Sequence, residues 1–161
     1  MVLAEKILAA SDLGPWRERL RAAGRRLVVT NGCFDILHLG HVTYLEMARQ
    51  QGDALLVGVT NDTGVRILKG EGRPVNLAPE RAEILAALQS VDGVHIFPEL
   101  DAREFLKKVR PDVYVKGGDY TLDTINQDER RMLEAMGVKI VLLPVVPGKS
   151  TTALLEKINR L

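Results

Sequence analysis

A single cysteine, Cys33, leaves this 161-residue chain without an internal disulfide framework or a cysteine-rich zinc site. Aromatic residues make up only 4%, and no basic patch carries interleaved aromatics, so a nucleic-acid-binding surface is not expected. Charge of one sign is also missing. Lys and Arg total 22 against 21 Asp and Glu, a net charge of +1. No apolar run reaches the ~18 residues that span a bilayer, and the opening MVLAEKILAASDLG has no signal-peptide pattern. Neither membrane nor nucleic acid is an expected partner, and the cytoplasm is the expected compartment. What is present is an ordinary globular composition, 46% hydrophobic and 27% charged, enough for one domain with a core that needs no staple.

Strand-like and helix-like segments alternate along the chain. Residues 3–24 read as a helical lead-in, with Pro15 interrupting it or opening a second helix. Short apolar runs at 27–30, 54–60, 94–97, 113–115 and 138–143 read as strands buried on both faces. Helical patterns fill 40–50, 63–68, 78–90, 102–109, 124–136 and 150–160, leaving Lys69-Gly70-Glu71-Gly72-Arg73 as the flexible segment. This alternation predicts an α/β domain over 25–161: an open five-stranded parallel sheet, Rossmann-like, with helices on both faces. Ligands of such sheets bind beyond the carboxyl ends of the strands, at a topological switch point.

After the first strand comes Thr30-Asn31-Gly32-Cys33-Phe34-Asp35-Ile36-Leu37-His38-Leu39-Gly40-His41. Two histidines flank a glycine where a helix begins. A helix N-terminus offers free N–H groups and a positive dipole end to phosphate. Gly40 lets a phosphate approach the backbone, and His38 and His41 add donors. With His95 the only other histidine, a metal site is the poorer reading. The backbone of Gly32, Cys33 and Phe34 can face nucleotide phosphates, and Cys33 itself reads as a small packing residue. Asp35 is either a turn residue or a polar contact that orients the site or a metal. Asp62 is either a cap or a site residue. Arg81, a cation near a helix N-terminus, either pairs with Glu80 or Glu83 or meets a phosphate. Lys116-Gly117-Gly118-Asp119 is either a turn or a close approach to base and ribose. Ser150, Thr151 and Thr152 form an N-cap whose geometry also suits phosphate.

Neither the Walker nor the G-x-G-x-x-G pattern occurs. The string resembles the H-x-G-H signature of the nucleotidyltransferase superfamily. In its longer form, TNGCFDILHLGHVTYLEMAR, it is similar to the adenylyltransferase half of the bacterial ADP-heptose synthesis enzymes. KGEGRPVN at 69–76, RAEILAALQSVDGV at 81–94, RPDVYVKGGDY at 110–120 and GKSTTALLEKI at 148–158 follow in the same order. The resemblance implies adenylyl transfer from ATP, as its Mg²⁺ complex, to D-glycero-β-D-manno-heptose 1-phosphate, with no covalent enzyme intermediate and no protein metal ligand that can be named. It implies that His38, His41 and Lys69 carry the catalysis and that Arg73 and Arg81 are substrate-phosphate candidates. Asn31, Gly32, Cys33, Phe34, Asp35, Gly40, Lys116, Gly117, Asp119, Ser150, Thr151 and Thr152 would hold the nucleotide. It further implies a homo-oligomer, a dimer being one option, and a separate sugar kinase upstream, since the chain is too short to hold one. Two other readings remain: a cytidylyltransferase for glycerol 3-phosphate or a similar ester, and a nucleotide-binding regulator without catalysis. Val145 and Val146 stand where related cytidylyltransferases carry an arginine, with Lys149 the nearest cation, and Glu99-Leu100-Asp101-Ala102 lacks the family's Thr-Pro.

Overall fold

A computed structural model describes residues 2–161. Five parallel strands form one sheet in the order β3-β2-β1-β4-β5: β1 Leu27–Gly32, β2 Ala54–Thr60, β3 Gly93–Phe97, β4 Val113–Gly117 and β5 Lys139–Leu143. The expected Rossmann-like sheet is therefore present. Connections run outward from β1 to β2 and β3, then return across it to β4 and β5. The switch point thus lies between β1 and β4, which pair through Val28↔Val113 and Val29↔Tyr114.

Among the described residues eight helices flank or join the strands: α1 Leu3–Lys6, α2 Leu13–Ala22, α3 Leu39–Arg49, α4 Asp62–Lys69, α5 Ala78–Ala86, α6 Arg103–Val109, α7 Gln127–Ala135 and α8 Thr151–Asn159. Strand alternation divides the core in two. Leu27, Val29, Leu56 and Tyr114 pack on one face with Leu13 and Leu20 of α2, Phe105 and Leu106 of α6 and Leu133 of α7. Val28, Leu55, Val57 and Val115 pack on the other with Leu45 and Ala48 of α3 and Ala82 and Leu85 of α5. Arg17 of α2 reaches under the sheet to Asp112 at 3.0 Å, and the same carboxylate accepts the Leu27 amide at 2.7 Å.

Three expectations need correction. The lead-in holds a second helix with Pro15 at its start, as one reading had it, but residues 7–12 before that helix are not helical. The chain leaves α1 at Ile7, which bridges Val94 in parallel and extends the sheet beyond the edge strand β3, and Pro15 lies in the first turn of α2. α5 ends at Ala86 rather than at residue 90. β5 is not buried on both faces. Lys139 is exposed and Ile140, Val141 and Leu142 are half-buried, because β5 is an edge strand and apolar content alone does not separate edge from centre.

Candidate nucleotide site at the switch point

A cleft of about 490 Å³ opens at the carboxyl ends of β1 and β4, a volume in the ordinary range of small-molecule sites. Its walls come from the loop after β1, the start of α3, the end of α4, the 69–73 loop, the end of β4 and the 144–152 segment entering α8.

The β1 exit is shaped by two residues that need each other. Phe34 adopts a left-handed φ of 49°, which folds its ring back over Gly32. A Cβ at Gly32 would lie 3.0 Å from Phe34 Cε2, so the glycine makes room for the ring. That ring then meets His41 edge-on, centroids 5.3 Å apart. His38 occupies the N-cap of α3 with extended φ, and its imidazole stacks on His41 at 3.8 Å and 23°. Gly40 is obligatory between them. A Cβ there would stand 2.9 Å from His38 Cε1 and Nδ1 and 3.1 Å from Lys149 Cβ.

Both Nδ1 atoms are buried without a hydrogen-bond partner among the described residues, and both histidines line the cleft. Burial is the main reason both rings resist protonation. For His38 the nearby Lys149 cation adds to it. For His41 burial and the neighbouring His38 outweigh the opposing Ile36 carbonyl and push the pKa down to about 4.

Tyr44, three residues past His41 and so on the same side of α3, braces this wall. Its hydroxyl lies 2.6 Å from Thr30 Oγ1 and donates to Val115 O at 3.1 Å, joining β1 to β4 across the switch point. A Cβ at Gly117 would strike the Tyr44 ring at 2.5 Å, which fixes glycine at that strand end. Tyr44 was not among the residues singled out from sequence, although its i+3 spacing from His41 was available as a signal.

Asp35 lines the cleft but does not point a free carboxylate at it. The residue is 2% exposed, and its carboxylate accepts from Arg73 Nε at 2.6 Å, Val75 N at 2.9 Å and Asn76 N at 2.9 Å. Burial alone would raise its pKa, but the Asn76 and Val75 amides and the Arg73 guanidinium together hold it below the usual carboxylate value. Its work is to pin the loop after α4, and with it Arg73, to the β1 exit. Lys69 stays exposed at the cleft edge, on the far side of Gly70 and Gly72, both at positive φ.

Arg81 is the clearest correction. It is 1% exposed and does not line the cleft. Its guanidinium donates to Asn76 O at 2.9 Å, Cys33 O at 2.6 Å and Asp62 Oδ1 at 2.8 Å. The ion-pair partner is Asp62, not Glu80 or Glu83; Glu80 instead folds back to the Leu77 amide. Arg81 is therefore an internal clamp that holds the Cys33 turn. Asp62 does not cap α4 either: Asn61 does, accepting from Gly64 N at 2.9 Å. Asp119 is exposed and stands off the cleft wall, while its neighbours Gly118 and Tyr120 line it.

The fourth wall is the start of α8. Ser150 caps it, accepting from Ala153 N at 3.0 Å, and Thr151 Oγ1 donates to Ile36 O at 3.3 Å, which ties the helix start to the loop before His38. Thr152 and Lys149 line the cleft beside them. Lys116 enters from β4, its ammonium 5.1 Å from the Tyr120 ring centroid. Burial lowers its pKa against the attraction of Glu129 and Cys33. The cleft therefore brings together His38, Gly40, His41, Lys69, Arg73, Asn31 to Asp35, Lys116, Gly117 and Ser150 to Thr152. It adds Tyr44, Thr60, Tyr120 and Lys149. Among the described residues no three His, Cys, Asp or Glu side chains cluster to hold a metal, and no helix is long and apolar enough to cross a membrane. Cations, ring nitrogens, hydroxyls and a helix start around one cleft form a receptor for phosphate groups.

Known proteins carry the same pattern. The cytidylyltransferase-like family profile matches residues 29–157. The bifunctional protein HldE of Pseudomonas paraeruginosa strain DSM 24068 / PA7 is 50% identical over 143 residues, 89% of this chain and 30% of the relative. HldE of Pseudomonas fluorescens strain SBW25 is 51% identical over 139 residues, 86% of this chain and 29% of the relative. The chain thus spans about a third of the length of these curated relatives. The crystal structure of a lipopolysaccharide core biosynthesis protein from Thermoplasma volcanium GSS1 superposes with a TM-score of 0.64 at 27% identity, covering 76% of this chain and 98% of that one. With the profile spanning both the switch-point cleft and the α8 wall, the chain belongs to the cytidylyltransferase-like family of nucleotidyltransferases.

Proposed function

We propose that the chain transfers the adenylyl group of ATP to D-glycero-β-D-manno-heptose 1-phosphate, giving ADP-heptose and pyrophosphate. The observation that carries this reading is the stacked His38–His41 pair across Gly40 at the switch point, facing the Ser150 helix start. The 50% identity to a bifunctional HldE protein, over 89% of this chain and 30% of that relative, supports the heptose ester as the acceptor.

A phosphate oxygen of the sugar 1-phosphate attacks the α-phosphorus in line. The new O–P bond forms as the bond to the β-phosphate oxygen breaks, and pyrophosphate leaves with the electron pair. The protein contributes positioning and charge neutralisation rather than a nucleophile. His38 and His41 hold the triphosphate through their ring nitrogens, and the α8 amides, Ser150 and Thr152 receive its oxygens. A hydroxyl that accepts a cap bond, as Ser150 does, still has its proton to donate. Lys69 closes from the end of α4 and Arg73 from the loop after it, with Arg73 keeping its Nη groups while Nε stays on Asp35. Lys116, Asn31 and the Gly32–Phe34 turn complete the pocket. Asp119, standing off the wall, would reach a ribose only after loop movement. Mg²⁺ fits this site as part of its substrate. Asp35, the only acid on the wall among the described residues, is committed to Arg73 and two amides, so phosphate oxygens and water would hold the ion, which would neutralise charge on the departing pyrophosphate. A dimer in the cytoplasm, supplied by a sugar kinase upstream, completes the proposal.

The test is pyrophosphate release with Mg²⁺, crossing ATP and CTP against heptose 1-phosphate and glycerol 3-phosphate, with His41→Ala as control. Release with ATP and the heptose ester alone, lost in the variant, is the expected result. CTP-dependent release would assign the chain as a cytidylyltransferase. ATP binding without any release would make it a regulator.

A further inference from the structure

The walls of the cleft come from opposite faces of the sheet. His38, His41 and Tyr44 belong to α3, which packs with Val28, Val57 and Val115. Asn31 and Lys116 follow Val29 and Tyr114 along paired strands, two residues on, and so project from the face covered by α2, α6 and α7. In-line transfer needs the nucleophile opposite the leaving group. With the leaving pyrophosphate on the histidine wall, the incoming phosphate ester must approach from the Asn31–Lys116 wall.

That wall has a built support. Tyr114, only 1% exposed, donates its hydroxyl to Asn31 Oδ1 at 2.7 Å. The hydroxyl has one proton, and its second contact, Glu129 Oε2, is longer at 3.4 Å. The amide oxygen is therefore engaged behind the wall, and the amide nitrogen is left to the cleft. Among the described residues Nδ2 of Asn31 donates to no group of the chain, although Asn31 lines the cleft. The Lys116 ammonium lies on the same wall.

We propose that Tyr114 is a positioning residue that turns the Asn31 amide N–H groups into the cleft, where with Lys116 they receive the phosphate oxygens of the acceptor ester rather than those of ATP. Tyr114 touches no substrate and acts through Asn31. The inference rests on the adenylyl-transfer reading for the identity of the acceptor, but not for the Tyr114–Asn31 contact.

Steady-state kinetics of the full chain, wild type, Tyr114→Phe, Asn31→Ala and the double variant, test it. Tyr114→Phe is expected to raise KM for heptose 1-phosphate about fivefold, as the loss of one hydrogen bond implies, with kcat and KM for ATP within twofold. The same substitution in the Asn31→Ala background is expected to add nothing. A rise in KM for ATP instead, no rise at all, or effects that multiply in the double variant would overturn the proposal. Should wild-type protein turn over no sugar phosphate, the functional reading fails separately. The side-chain NH₂ signals of Asn31 then decide, assigned in ¹⁵N spectra by their loss in Asn31→Ala. They are expected to move in Tyr114→Phe and to respond to inorganic phosphate in the wild type. Signals that do neither would overturn the inference.

Discussion

The imidazoles of His38 and His41 stack at 3.8 Å because Gly40 between them has no side chain. The pairing is a steric consequence of the H-x-G-H spacing. Gly40→Ala puts a methyl 2.9 Å from the His38 ring and 3.1 Å from Lys149 Cβ, and the ring must yield. Gly40 lies in the first turn of α3, where alanine is a better helix former, so the fold should survive. The expected outcome is a loss of about 10²-fold in kcat, the scale of one misplaced transition-state donor. The melting temperature should change little. Stopped pyrophosphate assays and thermal melts on the same preparation check both halves.

Two rings whose pKa values are lowered, set in a phosphate receptor, predict a proton uptake. Burial and His38 hold His41 down to about 4 before ligand arrives, and His38 is lowered too. A triphosphate beside them favours the charged forms and raises both values. At pH 6 ATP binding should therefore take up protons. Calorimetry in buffers of different ionisation enthalpy reads the number directly. The free protein shows the other side of the same linkage. Its unfolded state binds the His41 proton near 6.5, well above the folded value of about 4. The stability contributed by neutral His41 is therefore complete above that range and is lost as pH falls from 6.5 towards 4. Thermal melts across this window should decline, and less steeply in His41→Gln.

Asp35 and Arg73 form the anchor of the α4–α5 loop, at 2.6 Å with the carboxylate 1% exposed. Asp35→Asn removes the charge and turns one amide hydrogen-bond donor towards the Arg73, Val75 and Asn76 donors. Breaking such a buried pair costs about 3 kcal/mol, measurable by urea unfolding. The folded pKa of Asp35 lies below the ordinary carboxylate value of 3.8, so its contribution is intact above that value and is lost as pH falls through the folded one. An Asp35→Asn curve indistinguishable from wild type would mean that the loop is held by other contacts.

Much of this site was legible in the sequence, and the shortfalls share one cause. The strand–helix alternation and the run from Asn31 to His41 are local patterns, and both led to the cleft. What escaped were partners chosen by tertiary packing. Arg81 looked misplaced as a cation in the first turns of α5, which was a correct sign that it was not an ordinary surface residue. Its ion-pair partner, however, lies 19 residues back at Asp62 and its other contacts at Cys33 and Asn76, which spacing along a helix does not reveal. Asp35 read as a turn or site residue because its amide donors sit about 40 positions away. The partial exposure of β5 follows from its place at the sheet edge, a property of strand order and not of composition.

Arg81 and Arg73 give opposite outcomes although both stood as phosphate candidates. Arg81 is closed into the interior, with its guanidinium on Asp62 Oδ1, Cys33 O and Asn76 O. Arg81→Ala leaves the Asp62 carboxylate and two carbonyls short of a donor and opens a void, for which about 3–5 kcal/mol of destabilisation is the ordinary scale. Arg73 keeps its Nη groups at the cleft, and its side chain is partly accessible at 15%. Arg73→Lys preserves a cation near Asp35 but loses the planar fork that engages carboxylate and phosphate together. It is expected to keep most of the stability while weakening turnover by at least tenfold. Urea unfolding and pyrophosphate release on the two variants separate the roles. If Arg81→Ala were fully stable yet inactive, Arg81 would be a phosphate ligand after all and the clamp assignment would be wrong.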